Sequence, residues 1–98
     1  MAIGSIQPIF PYNRFSILAT APRGSGVYAI FTPQQWIYVG ESVNIQARLL
    51  RHLNGDNACI TRFAPTGFQY ERWPKHQRVA RQDELIRALN PACNLRTG

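Results

Sequence analysis

GVYAIFTPQQWIYVGESVNIQARLLRH, residues 26–52, decides the fold. Gly26-Val27-Tyr28-Ala29-Ile30-Phe31 is β-rich, Thr32-Pro33-Gln34-Gln35 supplies a turn, and Trp36-Ile37-Tyr38-Val39 returns. Two such runs joined this closely predict a hairpin, with Tyr28 and Tyr38 near each other on adjacent strands. Their facing depends on the register, which the sequence leaves open. Gly40 marks the sharp exit from the hairpin. Asn44 or Ser42 then caps a helix to about Leu53. Ile45, Leu49 and Leu53 fall four apart on its apolar stripe, with Leu50 beside them. Arg48, Arg51 and His52 lie off the centre of that stripe.

Outward from this stretch the signals weaken. Residues 1–24 are rich in Pro, Ser, Ala and Gly, with a short strand or turn expected around Phe15-Ser16-Ile17-Leu18. After the Asn54-Gly55-Asp56-Asn57 break, residues 58–66 read as irregular or briefly ordered. Gly67–Trp73 alternates as a third strand, with Phe68, Tyr70 and Arg72 on one side and Gln69, Glu71 and Trp73 on the other. RVARQDELIRAL, residues 78–89, is helical, with Val79, Gln82, Ile86 and Leu89 on one face, and Asn90-Pro91 ends it. Cys93 and Leu95 fold the tail back. The expected architecture is a single α+β domain over residues 1–98, a small three-stranded, mainly antiparallel sheet flanked by helices.

The chain has 98 residues, a net charge of +6 and ten arginines against the single Lys75. Arginine's planar fork suits bidentate phosphate contact, so nucleic acid is the leading partner. No apolar run reaches bilayer-spanning length, and the N-terminus does not read as a signal peptide, so an intracellular setting, cytoplasmic or nucleoid-associated, is expected with no membrane partner. Cys59 and Cys93 form no metal-binding pair; a single disulfide stays open, and two reduced thiols are the expected state. They also lack a placed base for nucleophilic work. Trp36 and Trp73 are expected in core or sheet-edge packing.

Before any family is considered, the hairpin tyrosines, the glycine and Arg48 form a compact polar cluster. A tyrosine can pass a proton, an arginine can offset charge building on a phosphate, and a carboxylate can hold a divalent metal over it. The candidate carboxylates are Glu41, Asp83 and Glu84. The plainer alternative is two half-buried sheet tyrosines and a solvated arginine.

The chain resembles the GIY-YIG nuclease family across residues 26–94. Gly26-Val27-Tyr28 stands for the first name motif and Tyr38-Val39-Gly40 for the second, with valine for isoleucine in both. Nine residues separate the tyrosines, Asn44-Ile45 precedes Arg48, and Leu85-Ile86, Asn90-Pro91 and Asn94 resemble the family's ending. The resemblance implies an endonuclease that hydrolyses DNA by in-line attack of water with Mg²⁺ or Mn²⁺ as cofactor. Tyr28 would receive the nucleophile's proton, Tyr38 would organise the phosphate or the metal's waters, and Arg48 would clamp the phosphate. His52, four residues after Arg48, would support the site or touch phosphate. Read from the residues themselves, Arg51 is a flanking backbone contact or nothing, and His76 either touches phosphate beside Lys75 and Arg78 or is simply exposed.

One position departs from the family. The metal-binding glutamate belongs three residues before Leu85, where this chain has Gln82. Asp83 is rotated from it by about 100° and Glu84 by about 200°, which leaves Glu84 a weak alternative ligand. Three explanations follow: another carboxylate serves, the domain binds nucleic acid without cutting, or the chain is a Glu→Gln variant that traps substrate. With no room for a separate DNA-reading domain, single-stranded or structured DNA is the favoured substrate, and RNA stays open. Residues 1–25 and 54–66 are candidates for those contacts.

Overall fold

The computed structural model describes residues 8–94. The reading of the N-terminus as lacking a signal peptide rests partly on residues 1–7, and the fold-back of Leu95 falls beyond residue 94, so both lie outside the described residues. The elements run β1 (Phe10–Pro11), α1 (Arg14–Thr20), β2 (Gly26–Phe31), β3 (Trp36–Ser42), α2 (Ile45–Leu53), α3 (Ala58–Phe63), β4 (Gly67–Arg72) and α4 (Lys75–Leu89). The sheet has four strands in the order β1-β4-β2-β3, and every pairing is antiparallel. The expected three-stranded sheet gains β1, whose two residues pair Phe10 with Phe68 and Pro11 with Gly67.

Two further segments differ from the sequence reading. Phe15-Ser16-Ile17-Leu18, read as a strand or turn, lies within α1, and the order in residues 58–66, read as irregular or briefly ordered, is the helix α3. Both are short helices started by asparagine. The Asn13 side chain accepts from Ser16 N, and that of Asn57 accepts from Cys59 N and Ile60 N. Asn44 caps α2 in the same way through Ala47 N, so three of the four helices use one device to satisfy their first free N–H groups. β3 also runs two residues past Gly40, to Ser42.

Alternation along β2 divides the core. Tyr28 and Ile30 face α2, where they join Ile45, Leu49 and Ile60, while Val27 and Ala29 face α4 and meet Leu85. On α4, Val79 is 51% exposed and does not share the buried face expected of it; Leu85 carries that face, with Ile86 and Leu89 beside it. Trp36 and Trp73 pack at the margin of this second layer, as edge packing requires. The two sheet faces thus carry different helices, and the polar cluster sits on the α2 side.

The cysteines are not free. Cys59 of α3 and Cys93, past the end of α4, form a disulfide that closes a 34-residue separation. The expectation of two reduced thiols is corrected: the tail folds back onto the sheet through Cys93 N donating to Ile37 O, which brings its sulfur to α3.

Candidate active site

The register that the sequence left open places Tyr28 opposite Gly40 and Ile30 opposite Tyr38. Ile37 is extra, because Phe31 pairs with Trp36, and this irregularity keeps Tyr38 on the Tyr28 side of the sheet. The two phenol rings lie 6.2 Å apart between centroids. A Cβ at Gly40 would overlap the Tyr28 hydroxyl and ring, so the second glycine motif exists to seat the tyrosine of the first.

α2 brings the remaining groups. His52 is 5% exposed, and its Nε2 lies 2.7 Å from Tyr28 Oη. Its ring meets Tyr38 edge-on at 5.2 Å. One turn earlier, half-buried Arg48 is close enough to both phenols to favour their ionised forms. Beyond the helix, Asp56 Oδ1 lies 2.8 Å from His52 Nδ1. A cavity of about 220 Å³ opens beside the imidazole, lined by Tyr12, Leu53, Ile60 and Thr61 among others.

Burial sets the electrostatics. It pushes the Tyr28 phenol far above its ordinary range, and Tyr38 adds to the rise while Arg48 opposes it. Tyr38 is raised by burial as well, again against Arg48. Burial lowers His52, with the Asp56 hydrogen bond acting in the opposite direction. The result is a neutral phenol in contact with a neutral imidazole at pH 7.

Tyr28, Tyr38, Arg48 and His52, singled out from the sequence, therefore meet at one place. His52 is buried between Tyr28 and Asp56, with a hydrogen-bond partner at each ring nitrogen. The flanking cations do not assemble into one patch. Arg51 projects from α2, whereas Lys75 and His76 are exposed at the start of α4, on the other face of the sheet. Arg78 is engaged internally: its Nε donates to Glu41 Oε1 at 2.6 Å and its Nη1 to Ser25 at 3.1 Å.

Sequence reading missed Asp56, which was assigned only to a turn. The available signal was a carboxylate four residues after His52 with a glycine between them. It also left Asn94 without a task; its side chain accepts from Val39 N and donates to Val39 O, both at 2.8 Å, and so clamps the strand that carries Tyr38.

The donors around α4 test whether a divalent cation belongs here. Gln82 offers only a neutral amide. Glu41 is held by Arg78, Glu71 by both nitrogens of the Arg81 fork at 2.7 and 2.9 Å, and exposed Glu84 by Arg81 at 3.3 Å. The Asn94 amide is spent on Val39. Among the described residues no group of three or more His, Cys, Asp or Glu gathers to hold a metal. A hard ion such as Mg²⁺ needs anionic oxygen to offset its dehydration, and Gln82 with the arginine-held Glu41, Glu71 and Glu84 does not fit a resident Mg²⁺ or Mn²⁺, which leaves half-buried Asp83 as the other candidate carboxylate on α4. Glu84, the weak alternative, points out to solvent and its arginine.

An antiparallel sheet between helices, with two tyrosines, an arginine and a histidine on one face, defines a small α+β domain with a single-faced polar site. The profile of the GIY-YIG catalytic domain matches residues 24–80, more than half of the chain, and the chain belongs to that family. Among solved structures it is similar to the GIY-YIG N-terminal endonuclease domain of UvrC from Thermotoga maritima bound to magnesium, its catalytic divalent cation. That match has a TM-score of 0.73 at 24% identity, over 84% of this chain and 94% of that one. A tyrosine-to-phenylalanine mutant of the same domain matches at TM-score 0.74 and 24% identity, covering 85% and 94%. No curated protein sequence matches the chain.

Proposed function

We propose that this chain is a GIY-YIG-type endonuclease domain that engages DNA phosphodiesters, and that Tyr28 and His52 together take the proton of the attacking water. The carrying observation is the 2.7 Å contact between Tyr28 Oη and His52 Nε2 in a buried setting. Burial makes a free phenolate costly at Tyr28, so the phenol works as a carrier. It accepts the water's proton as its own passes to Nε2, and it stays neutral throughout. Tyr38 hydrogen-bonds the phosphate, and Arg48 offsets the charge that grows on the phosphate oxygens. In the family's chemistry a divalent cation, Mg²⁺ or Mn²⁺, adds Lewis-acid activation. The present residues do not hold one well, so Gln82→Glu is the change expected to supply the missing carboxylate.

A specific observation favours a second reading, a non-cleaving module of the same fold. With Gln82 neutral and Glu41 and Glu71 closed off by arginines, the domain can bind a phosphate backbone without cutting it. Under either reading the substrate favoured is single-stranded or structured DNA. Two exposed aromatics each follow an arginine, Arg14-Phe15 on α1 and Arg62-Phe63 on α3, a pairing suited to stacking on unpaired bases beside phosphate contacts. A DNA substrate implies an intracellular, cytoplasmic or nucleoid-associated setting, and the Cys59–Cys93 bond means the fold also persists where thiols are oxidised.

The test is a cleavage and binding screen over single-stranded, duplex, flap and hairpin DNA and RNA, with Mg²⁺ or Mn²⁺. It is run on this chain and on Gln82→Glu. Cutting by Gln82→Glu supports the nuclease reading. Salt-sensitive binding with no cutting by either protein supports the binding module. Binding that salt does not weaken removes both.

A further inference from the structure

We propose that Asp56 is a positioning residue of this site: it holds His52 in the tautomer with its proton on Nδ1, leaving Nε2 to accept the proton of Tyr28. Its catalytic meaning rests on the Tyr28–His52 hand-off proposed above, but the geometry that carries it is separate. A carboxylate can only accept, so at 2.8 Å from Asp56 Oδ1 the His52 Nδ1 must donate. In a neutral imidazole the other nitrogen is then an acceptor, and the Tyr28 hydroxyl 2.7 Å away donates to it.

The loop is built to deliver that carboxylate. At the end of α2, Asp56 N donates to Arg51 O and Gly55 N donates to His52 O, at 3.3 and 3.0 Å. These two bonds, closing the helix over a left-handed residue, make a Schellman motif. Gly55 is that residue, with φ +93°, and a Cβ there would meet nothing within 4 Å, so backbone conformation alone demands the glycine. The motif fixes Asp56 two residues past the cap, where its side chain reaches back one turn to His52.

The surroundings give the carboxylate a second task. His52 is faced by Tyr28 from β2, Tyr38 from β3, Arg48 and Arg51 from its own helix, and Tyr12 across the cavity. Arg48 and Arg51 disfavour an imidazolium, and burial disfavours it more; Asp56 is the group that favours it. When the water's proton enters Tyr28 and the phenolic proton enters Nε2, the resulting imidazolium keeps Nδ1–H on Asp56. A carboxylate behind an imidazole orients the ring, fixes its tautomer and stabilises its charged form.

The experiment is nitrogen-15 NMR of the histidine rings at about pH 7.5, a readout that needs no cleavage. The chain has two histidines, and His52→Gln assigns the pair. The expected spectrum has a protonated Nδ1 and an unprotonated Nε2 for His52. Asp56→Asn should bring in the Nε2–H tautomer and lower the His52 titration midpoint, while Asp56→Glu retains the original tautomer. In a Gln82→Glu background, Asp56→Asn should also cut kcat roughly tenfold or more with KM little changed. A dominant Nε2–H form in the unaltered protein overturns the proposal, even if Asp56→Asn does not fold. So does an unchanged tautomer ratio in folded Asp56→Asn. A Gln82→Glu protein that never cuts, yet keeps the Nδ1–H tautomer, sinks the nuclease reading and leaves the positioning intact.

Discussion

Gly40 faces Tyr28 across the β2–β3 ladder, and the Tyr28 phenol fills the space that a Cβ at Gly40 would need. The glycine is thus part of how the tyrosine is aimed. Gly40→Ala is expected to push against the fully buried Tyr28 ring, whose hydroxyl and Cζ the new Cβ would overlap. The cost is about 1–3 kcal/mol of stability, typical of overpacking. Urea denaturation measures it, and the Tyr28–His52 contact should be lost along with it.

The pH dependence of stability follows from His52. Its ordinary value is 6.5, and burial lowers it in the folded protein against the pull of Asp56. Between the two values the unfolded chain binds more protons, so the stabilisation is complete above about pH 6.5 and declines as pH falls through the window beneath. Glu71 behaves separately. Burial pushes it up, but hydrogen bonds from Arg81 and Trp73 outweigh that and hold it below 4.5, so its contribution is lost only in stronger acid. Urea midpoints at pH 7.5 and 5.5 should therefore fall for the unaltered chain and stay nearly level for His52→Gln.

The Cys59–Cys93 bond closes a loop long enough to matter, and it lies one residue from the Asn94 clamp on Val39. For a loop of this length the chain-entropy estimate is about 3–4 kcal/mol. Thermal melts with and without reductant, and of Cys59→Ser, should show a lower Tm whenever the bond is absent. Equal melting temperatures would mean that the bond contributes nothing in solution.

Phe15 is 84% exposed on α1, next to Arg14. If it stacks on an unpaired base, Phe15→Ala should weaken single-stranded DNA binding by about 1–3 kcal/mol and leave duplex binding nearly unchanged. Fluorescence anisotropy on matched oligonucleotides reads both. Equal losses on the two forms would remove the single-strand preference.

The part of the fold legible in sequence was the part with a period. β2 and β3 are β-rich runs joined by a short turn, and α2 repeats its apolar residues every four positions after an asparagine cap, so their order could be read directly, while the facing of Tyr28 and Tyr38 needed the register that only the folded hairpin supplies. α1 was hidden because Phe15 and Leu18, which look like core residues, are exposed and blur its helical pattern. β1 has two residues, too few for any alternation to register. The disulfide is a tertiary event: nothing between residues 59 and 93 announces that α3 and the tail meet. The Arg78–Glu41 pair was not legible because its two residues lie 37 positions apart on different elements. Asp56 was half legible, since Asn-Gly-Asp signals a turn, but its reach to His52 needs the helix cap to be built first.

The central claim is that Tyr28, Tyr38, Arg48 and His52 form a phosphodiester-hydrolysis centre restrained by the neutral Gln82. The most direct measurement is the Mn²⁺-supported rate of nicking of a labelled single-stranded oligonucleotide by three proteins: the chain itself, Gln82→Glu, and Gln82→Glu carrying Tyr28→Phe. The account predicts that Gln82→Glu cuts at least about a hundredfold faster than the chain as it stands, and that adding Tyr28→Phe removes most of that gain, on the scale of a lost general base. Failure of Gln82→Glu to cut any DNA or RNA form, or full activity retained without the Tyr28 hydroxyl, would contradict it.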